Sequence, residues 1–162
     1  MGLTKMVLCL FAGLLFSCAR NNTMARIDNV SFAGDTSQAE IKPAWLPTAS
    51  KNIGLSVYMI AYDQEKLKTN MPWLIEKENH AQLLHGWDIE ISIEWDKGGT
   101  SEYHSNGRRG FLRSDGIIVA VIPVECSMVG PGSISVRILK YDKELQEKLG
   151  PVYMTLEYPS GK

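Results

Sequence analysis

The chain has 162 residues, 44% of them hydrophobic, which is enough for one domain with its own core and too short for two ordinary ones. Lys and Arg number 17 against 18 Asp and Glu. That balance gives no general attraction to nucleic acid, which needs a basic surface, and argues against a polybasic face for anionic lipid.

Met1 to Lys5 supplies a short positive start, and Met6 to Phe16 is an uncharged apolar run of eleven residues. A membrane-spanning helix needs roughly 20 apolar residues. The run therefore fits the hydrophobic region of a signal peptide over residues 1–17. It ends in Leu15-Phe16-Ser17-Cys18, which resembles the lipobox of bacterial lipoproteins: an aliphatic residue, two further positions, then the cysteine. Phe16 is bulkier than the residue usual at its position. The resemblance implies cleavage before Cys18 and lipid on its thiol, anchoring the protein to a membrane. Ala19, rather than aspartate, implies the outer membrane, with the domain facing the periplasm. Ser17-Cys18-Ala19 also reads as a small-x-small site for ordinary secretion.

Removing residues 1–17 leaves 16 basic against 18 acidic side chains. Cys9 goes with the leader. If Cys18 carries lipid, Cys126 is the remaining thiol, so the core rather than a disulfide must hold the fold. Residues 18–29 read as the lipidated cysteine and a polar tether, and residues 30–162 as the domain.

Val30 to Ala33 suggests a first short strand. Gly34 to Asn52, with Pro43 and Pro47 around Trp45, reads as a long loop or extended edge segment. Ile53 to Tyr62 is a strand dense in apolar residues. Asn70-Met71-Pro72 predicts a helix start, a cap followed by a first-turn proline, running to Leu84 and closed by Gly86. From Trp87 to Asp96 the apolar residues Trp87, Ile89, Ile91, Ile93 and Trp95 alternate with Asp88, Glu90, Ser92, Glu94 and Asp96. That is a strand with one apolar and one acidic face.

Gly98-Gly99 opens a polar loop through Gly107, and Arg108 to Arg113 suggests a short strand. Ser114-Asp115-Gly116 is a tight turn. Ile117 to Val124 reads as a central strand buried on both faces, ended or bulged by Pro123. Gly130-Pro131-Gly132 is another turn. Ile134, Val136 and Ile138 alternate with polar residues in a further strand. Asp142 to Leu149 reads as a helical turn or polar loop. Val152 to Tyr158 alternates as the last strand. Short strands separated by turns, without βαβ alternation, predict a mainly β fold: an antiparallel β-sandwich of immunoglobulin-like architecture with one or two short helices.

The residues offer little chemistry. His80 and His85 are five apart and point to different sides of a helix; Glu76 and His80, four apart, are a pair common on exposed helices. No metal or other cofactor is expected. There is no G-x-S-x-G elbow and no P-loop. Cys126 has only His104 as a plausible partner, and adjacent Glu125 disfavours a thiolate, so it reads as a small strand-end residue. Asp88, Glu90, Glu94 and Asp96 share a strand face. Paired carboxylates serve glycoside hydrolysis, but alternating acids on a solvated strand are simply its wet side, with Arg137 and Lys140 as possible cross-strand partners. Trp45, Trp73, Trp87 and Trp95 read as core or loop anchors.

Two features suit a protein partner. One is the acidic face of Asp88, Glu90, Glu94 and Asp96. The other is the loop 100–109, with Tyr103, His104, Arg108 and Arg109, residue types favoured at binding hot spots.

From Leu83-Leu84-His85-Gly86 through the alternating strand to Gly150-Pro151-Val152-Tyr153-Met154-Thr155-Leu156-Glu157-Tyr158, the last half of the chain resembles small lipoprotein β-domains of proteobacteria, a family of unknown function. The resemblance implies a sandwich and brings no catalytic residues. The expectation is a non-enzymatic, membrane-tethered protein-binding module; its sharper form is an immunity protein that neutralises an antibacterial toxin. The alternative is a structural subunit of an envelope or secretion assembly. An enzymatic or small-molecule role would need a deep pocket containing several of these polar residues.

Overall fold

The computed structural model describes residues 23–43, 52–79, 83–97, 99–105, 110–125 and 131–158, without the side chains of 52, 53, 77–79, 124 and 125. The leader, Cys18, Trp45, His80, Arg108, Arg109 and Cys126 lie outside them. The described elements are β1 (Thr23–Ile27), β2 (Thr36–Ile41), β3 (Asn52–Ala61), α1 (Gln64–Asn79), β4 (Asp88–Trp95), β5 (Thr100–His104), β6 (Phe111–Arg113), β7 (Gly116–Glu125), β8 (Gly132–Lys140), α2 (Lys143–Leu149) and β9 (Val152–Glu157).

Among the described residues these strands form two sheets, ordered β1-β9-β3-β7-β6 and β2-β8-β4-β5. Every pairing is antiparallel. The chain is a mainly β sandwich with two short helices, the fold class its alternating strands predict.

Period-two patterning places the core. Ile89, Ile91, Ile93 and Trp95 of β4 and Ile134, Val136 and Ile138 of β8 are buried. They meet Leu55, Val57 and Met59 of β3 and Met154 and Leu156 of β9 in one hydrophobic cluster. One end is closed by Leu67 and Leu74 of α1, Leu145 and Leu149 of α2, and buried Trp87, which stands edge-on to Phe32 and Tyr141. Trp73 is half-buried, with Lys148 Nζ 5.5 Å from its ring centroid.

Several boundaries differ from the sequence reading. Thr23–Ile27 is a strand paired with β9, so the segment read as a tether through residue 29 is part of the sheet from Thr23 on. The expected strand at Val30–Ala33 is irregular chain instead, with Asn29 left-handed at φ 54°. Pairing along β9 outweighs the weak pattern of Thr23–Ile27. The stretch read as loop from Gly34 contains β2, whose edge position lets Thr36, Gln38 and Glu40 face water.

Helix α1 starts at Gln64 rather than Asn70. Its cap is Asp63, whose Oδ1 accepts the Lys66 N–H at 2.8 Å. Pro72 therefore lies inside the helix, and Asn70 donates from its side chain to Lys148 O at 3.0 Å, tying α1 to α2. Segment 142–149 is a capped helix: Asp142 Oδ1 accepts from Leu145 N at 3.1 Å, and Gly150 at φ 71° closes it.

Strand β7 is not buried on both faces. Val121 is 56% exposed and Pro123 is exposed. The strand continues past Pro123 because β6 pairs only with residues Gly116 to Ile118; beyond them no described strand pairs with that side of β7, and a proline is tolerated at such an edge. The bulge falls earlier in β7, at Val119, which is passed over where Val57 pairs with Ala120 and Tyr58 with Ile118.

Candidate functional site

The outer face of the four-stranded sheet carries the predicted acidic residues in cross-strand rows. Arg137, Glu90 and His104 form one row; Gln38, Ser135, Ser92 and Glu102 the next; Glu40, Ser133, Glu94 and Thr100 the third. Small serines between the carboxylates keep the face low.

Charge is compensated at one end and open at the other. Glu90 Oε2 lies 3.7 Å from Arg137 Nη1, and Asp88 Oδ1 meets His104 Nε2. Arg137 is thus a cross-strand partner, as its position suggests. Lys140 stands opposite Asp88 in register, yet the Asp88 carboxylate turns to His104. Glu40, Glu94, Asp96 and Glu102 form no ion pair among the described residues.

Two open grooves follow these groups. One, of about 400 Å³, is lined by Glu90, Ile91, Ser92, Glu102, Tyr103 and His104. The other, about 580 Å³, includes Glu40, Glu94, Asp96 and Ser133. Both are troughs on a solvated face. Carboxylates around a shallow trough suit a cationic side chain delivered by a protein surface.

The second candidate changes character. Residues 100–104, read as loop, are edge strand β5, paired residue by residue with β4. Tyr103 is half-buried and packs on the core, whereas His104 is exposed on the acidic face. The sequence misleads here because β5 has no apolar alternation: its inward positions are Ser101 and Tyr103. Buried Ser105 completes the join, accepting the Ile89 N–H at 2.9 Å and donating its own N–H to Ile89 O at 2.9 Å. The structure brings Asp88, Glu90, Glu94, Tyr103 and His104 onto two neighbouring strands, with Asp96 just past β4.

A further cluster escapes the sequence reading. On the outer face of the five-stranded sheet, Arg26 lies over Tyr153, its guanidinium carbon 3.9 Å from the ring centroid, and Arg113 lies over Tyr58 at 4.2 Å. Arg26 and the Tyr62 hydroxyl both donate to Asp28 Oδ1. Together these hold the Asp28 carboxyl below the usual carboxylate range, the phenol most strongly. Arg113 reaches Asp115 and Glu157, whose charges raise its guanidinium pKa against the opposing effect of burial. Its one signal in the sequence is tyrosine at the outward positions 58 and 153 of two strands that pair with each other. Among the described residues each charge of this cluster has an opposite charge beside it, so the cluster presents no free cation.

No family model, curated protein or solved structure matches the chain.

Proposed function

We propose that the protein is a non-enzymatic binding module, lipid-anchored in a bacterial envelope through Cys18, that holds a basic protein partner on the outer face of its four-stranded sheet. The observation that carries this reading is the set of Glu40, Glu94, Asp96 and Glu102, carboxylates on one face with no ion pair among the described residues. Leaving such charges unpaired favours fast, steered association with an oppositely charged surface. The anchor rests on the apolar run ending at Cys18. An immunity protein against a basic antibacterial toxin is the sharper form of this reading.

Mass spectrometry of the protein recovered from bacterial membranes tests the anchor: a chain starting at Cys18 and carrying acyl mass is expected. Capture on the immobilised protein tests the binding role. A single tight partner lost on Glu40→Lys with Glu94→Lys supports the module. Recovery of a whole envelope complex that ignores those substitutions supports a structural subunit instead.

A further inference from the structure

We infer that β5 is a docking edge, to which an extended, basic segment of the partner adds as a further strand; this deepens the binding-module reading and rests on it. β5 is the terminal strand of its sheet. Two hydrogen bonds at its ends fix which backbone groups are used. Trp95 N donates to Gly99 O at 3.2 Å, and Ser105 N donates to Ile89 O at 2.9 Å. Bonding in an antiparallel pair alternates, so residues 101 and 103 bond β4 while Thr100, Glu102 and His104 turn their N–H and C=O away from it. No described strand pairs with those three; β7 approaches this corner without a backbone hydrogen bond to β5.

Two other edges among the described strands, β6 and β1, are blunted. β6 has three residues. β1 carries a register shift between Thr23 and Ala25, and Lys42, just past β2, donates its N–H to Met24 O at 2.8 Å. Shortness, bulges, charged side chains (lysine above all) and proline are the usual means of blunting an edge. β5 has no bulge, lysine or proline: it runs five residues in unbroken register, Thr-Ser-Glu-Tyr-His, and its one charge, Glu102, repels an acidic strand and admits a basic one. An unguarded edge is the template for strand addition, in which main-chain bonds give affinity and side-chain seats give selectivity.

The seat specifies the partner's charge. Glu102 is at the middle of the edge, exposed and without an ion pair among the described residues, and it lines the 400 Å³ groove with Glu90, Ser92 and His104. A Lys or Arg opposite Glu102 on the added strand enters that groove. A second copy of this chain fits less well: antiparallel pairing over all five residues centres on Glu102 and sets two carboxylates face to face.

The test uses the full chain and two short synthetic peptides, one alternating Lys with Thr and one alternating Glu with Thr, read by amide hydrogen exchange. The Lys peptide is expected to slow exchange at Thr100, Glu102 and His104 by about tenfold or more, and to leave Ser101 and Tyr103 unchanged, since β4 already protects them. The Glu peptide leaves all five unchanged. Glu102→Pro deletes an outward N–H but no bond to β4, and should abolish the effect. Glu102→Gln keeps the N–H, so it should retain the protection pattern with weaker binding.

Protection elsewhere, no binding at millimolar peptide, or full binding by Glu102→Pro overturns the inference. So does a dimer of the free chain that Glu102→Pro converts to monomer, because the edge is then taken by a second copy. A natural partner lost on Glu40→Lys with Glu94→Lys but kept by Glu102→Pro removes the docking edge and leaves the acidic-face reading standing.

Discussion

Arg113 lies over the ring of Tyr58, 4.2 Å from its centroid, while its Nη1 reaches Glu157 Oε2 at 3.3 Å across the sheet. Glu157 is only 16% exposed, and it also accepts the Thr155 hydroxyl at 2.9 Å. Arg113→Ala leaves that half-buried carboxylate without its cation and uncovers Tyr58. The expected loss is about 1–3 kcal/mol in chemical denaturation. Arg113→Lys should recover only part of it, because an ammonium cannot reach Asp115 and Glu157 while stacking on the ring. A loss below about 0.5 kcal/mol for Arg113→Ala would show that the cluster adds nothing to stability.

The Tyr62 hydroxyl donates to Asp28 Oδ1 at 2.6 Å and Arg26 Nε donates to the same oxygen at 2.8 Å. These bonds favour the charged carboxylate and lower its pKa. A carboxyl depressed on folding contributes stability that is complete above its unfolded value and is lost as pH falls through the folded one. Tyr62→Phe should move the Asp28 titration upward, towards the ordinary carboxylate range, with Arg26 still in place. Carbon-13 NMR of the side-chain carboxyl reads this directly, and an unchanged midpoint would remove the phenol as the cause.

Ser105 is buried and its Oγ accepts the N–H of Ile89. Ser105→Ala strands that donor at the start of β4, where the register already shifts between Asp88 and Ile89. A cost of about 1–3 kcal/mol is expected. The Ile89 amide should also exchange faster than the amides further along β4, whose ladder does not depend on the hydroxyl.

Gly132 opens β8 opposite Trp95, and a Cβ built on it would sit 2.2 Å from Glu94 O. Gly132→Ala must push the two strands apart at the rim of the acidic groove. We expect about 1–3 kcal/mol of destabilisation. Gly34→Ala meets open space but imposes φ 84° on a side chain, and should cost about 1 kcal/mol through backbone strain alone.

Strands with strong apolar contrast are legible in the amino-acid pattern itself. Ile89 to Trp95, Ile134 to Ile138 and Val152 to Leu156 are buried where their alternation places them. Edge strands are not legible in this way. Thr36–Ile41 and Thr100–His104 bury few side chains, and Thr23–Ile27 buries Met24, Ala25 and Ile27 out of strict alternation across its register shift, so little hydrophobic period marks them and neighbouring strands decide their conformation. The start of helix α1 is misleading because Asn70-Met71-Pro72 imitates a helix start, while Asp63 makes the hydrogen bond that counts. The acidic face is legible because alternation fixes both faces of β4 at once. Its completion by Glu40 and Glu102 is not, since each lies on an edge strand without apolar period. The arginine–tyrosine cluster joins residues more than forty positions apart, Arg113 and Glu157 among them, which no local pattern records.

The most direct test of the acidic face measures the dissociation constant of the captured partner against salt, for the native chain and for Glu40→Lys with Glu94→Lys. Exposed charges lose reach as the screening length shortens from about 10 Å at 0.1 M to about 3 Å at 1 M. The predicted result is tight binding by the native chain that weakens with salt, and weaker binding by the variant with a shallower salt dependence. Equal affinity of both proteins at every salt concentration would contradict the account.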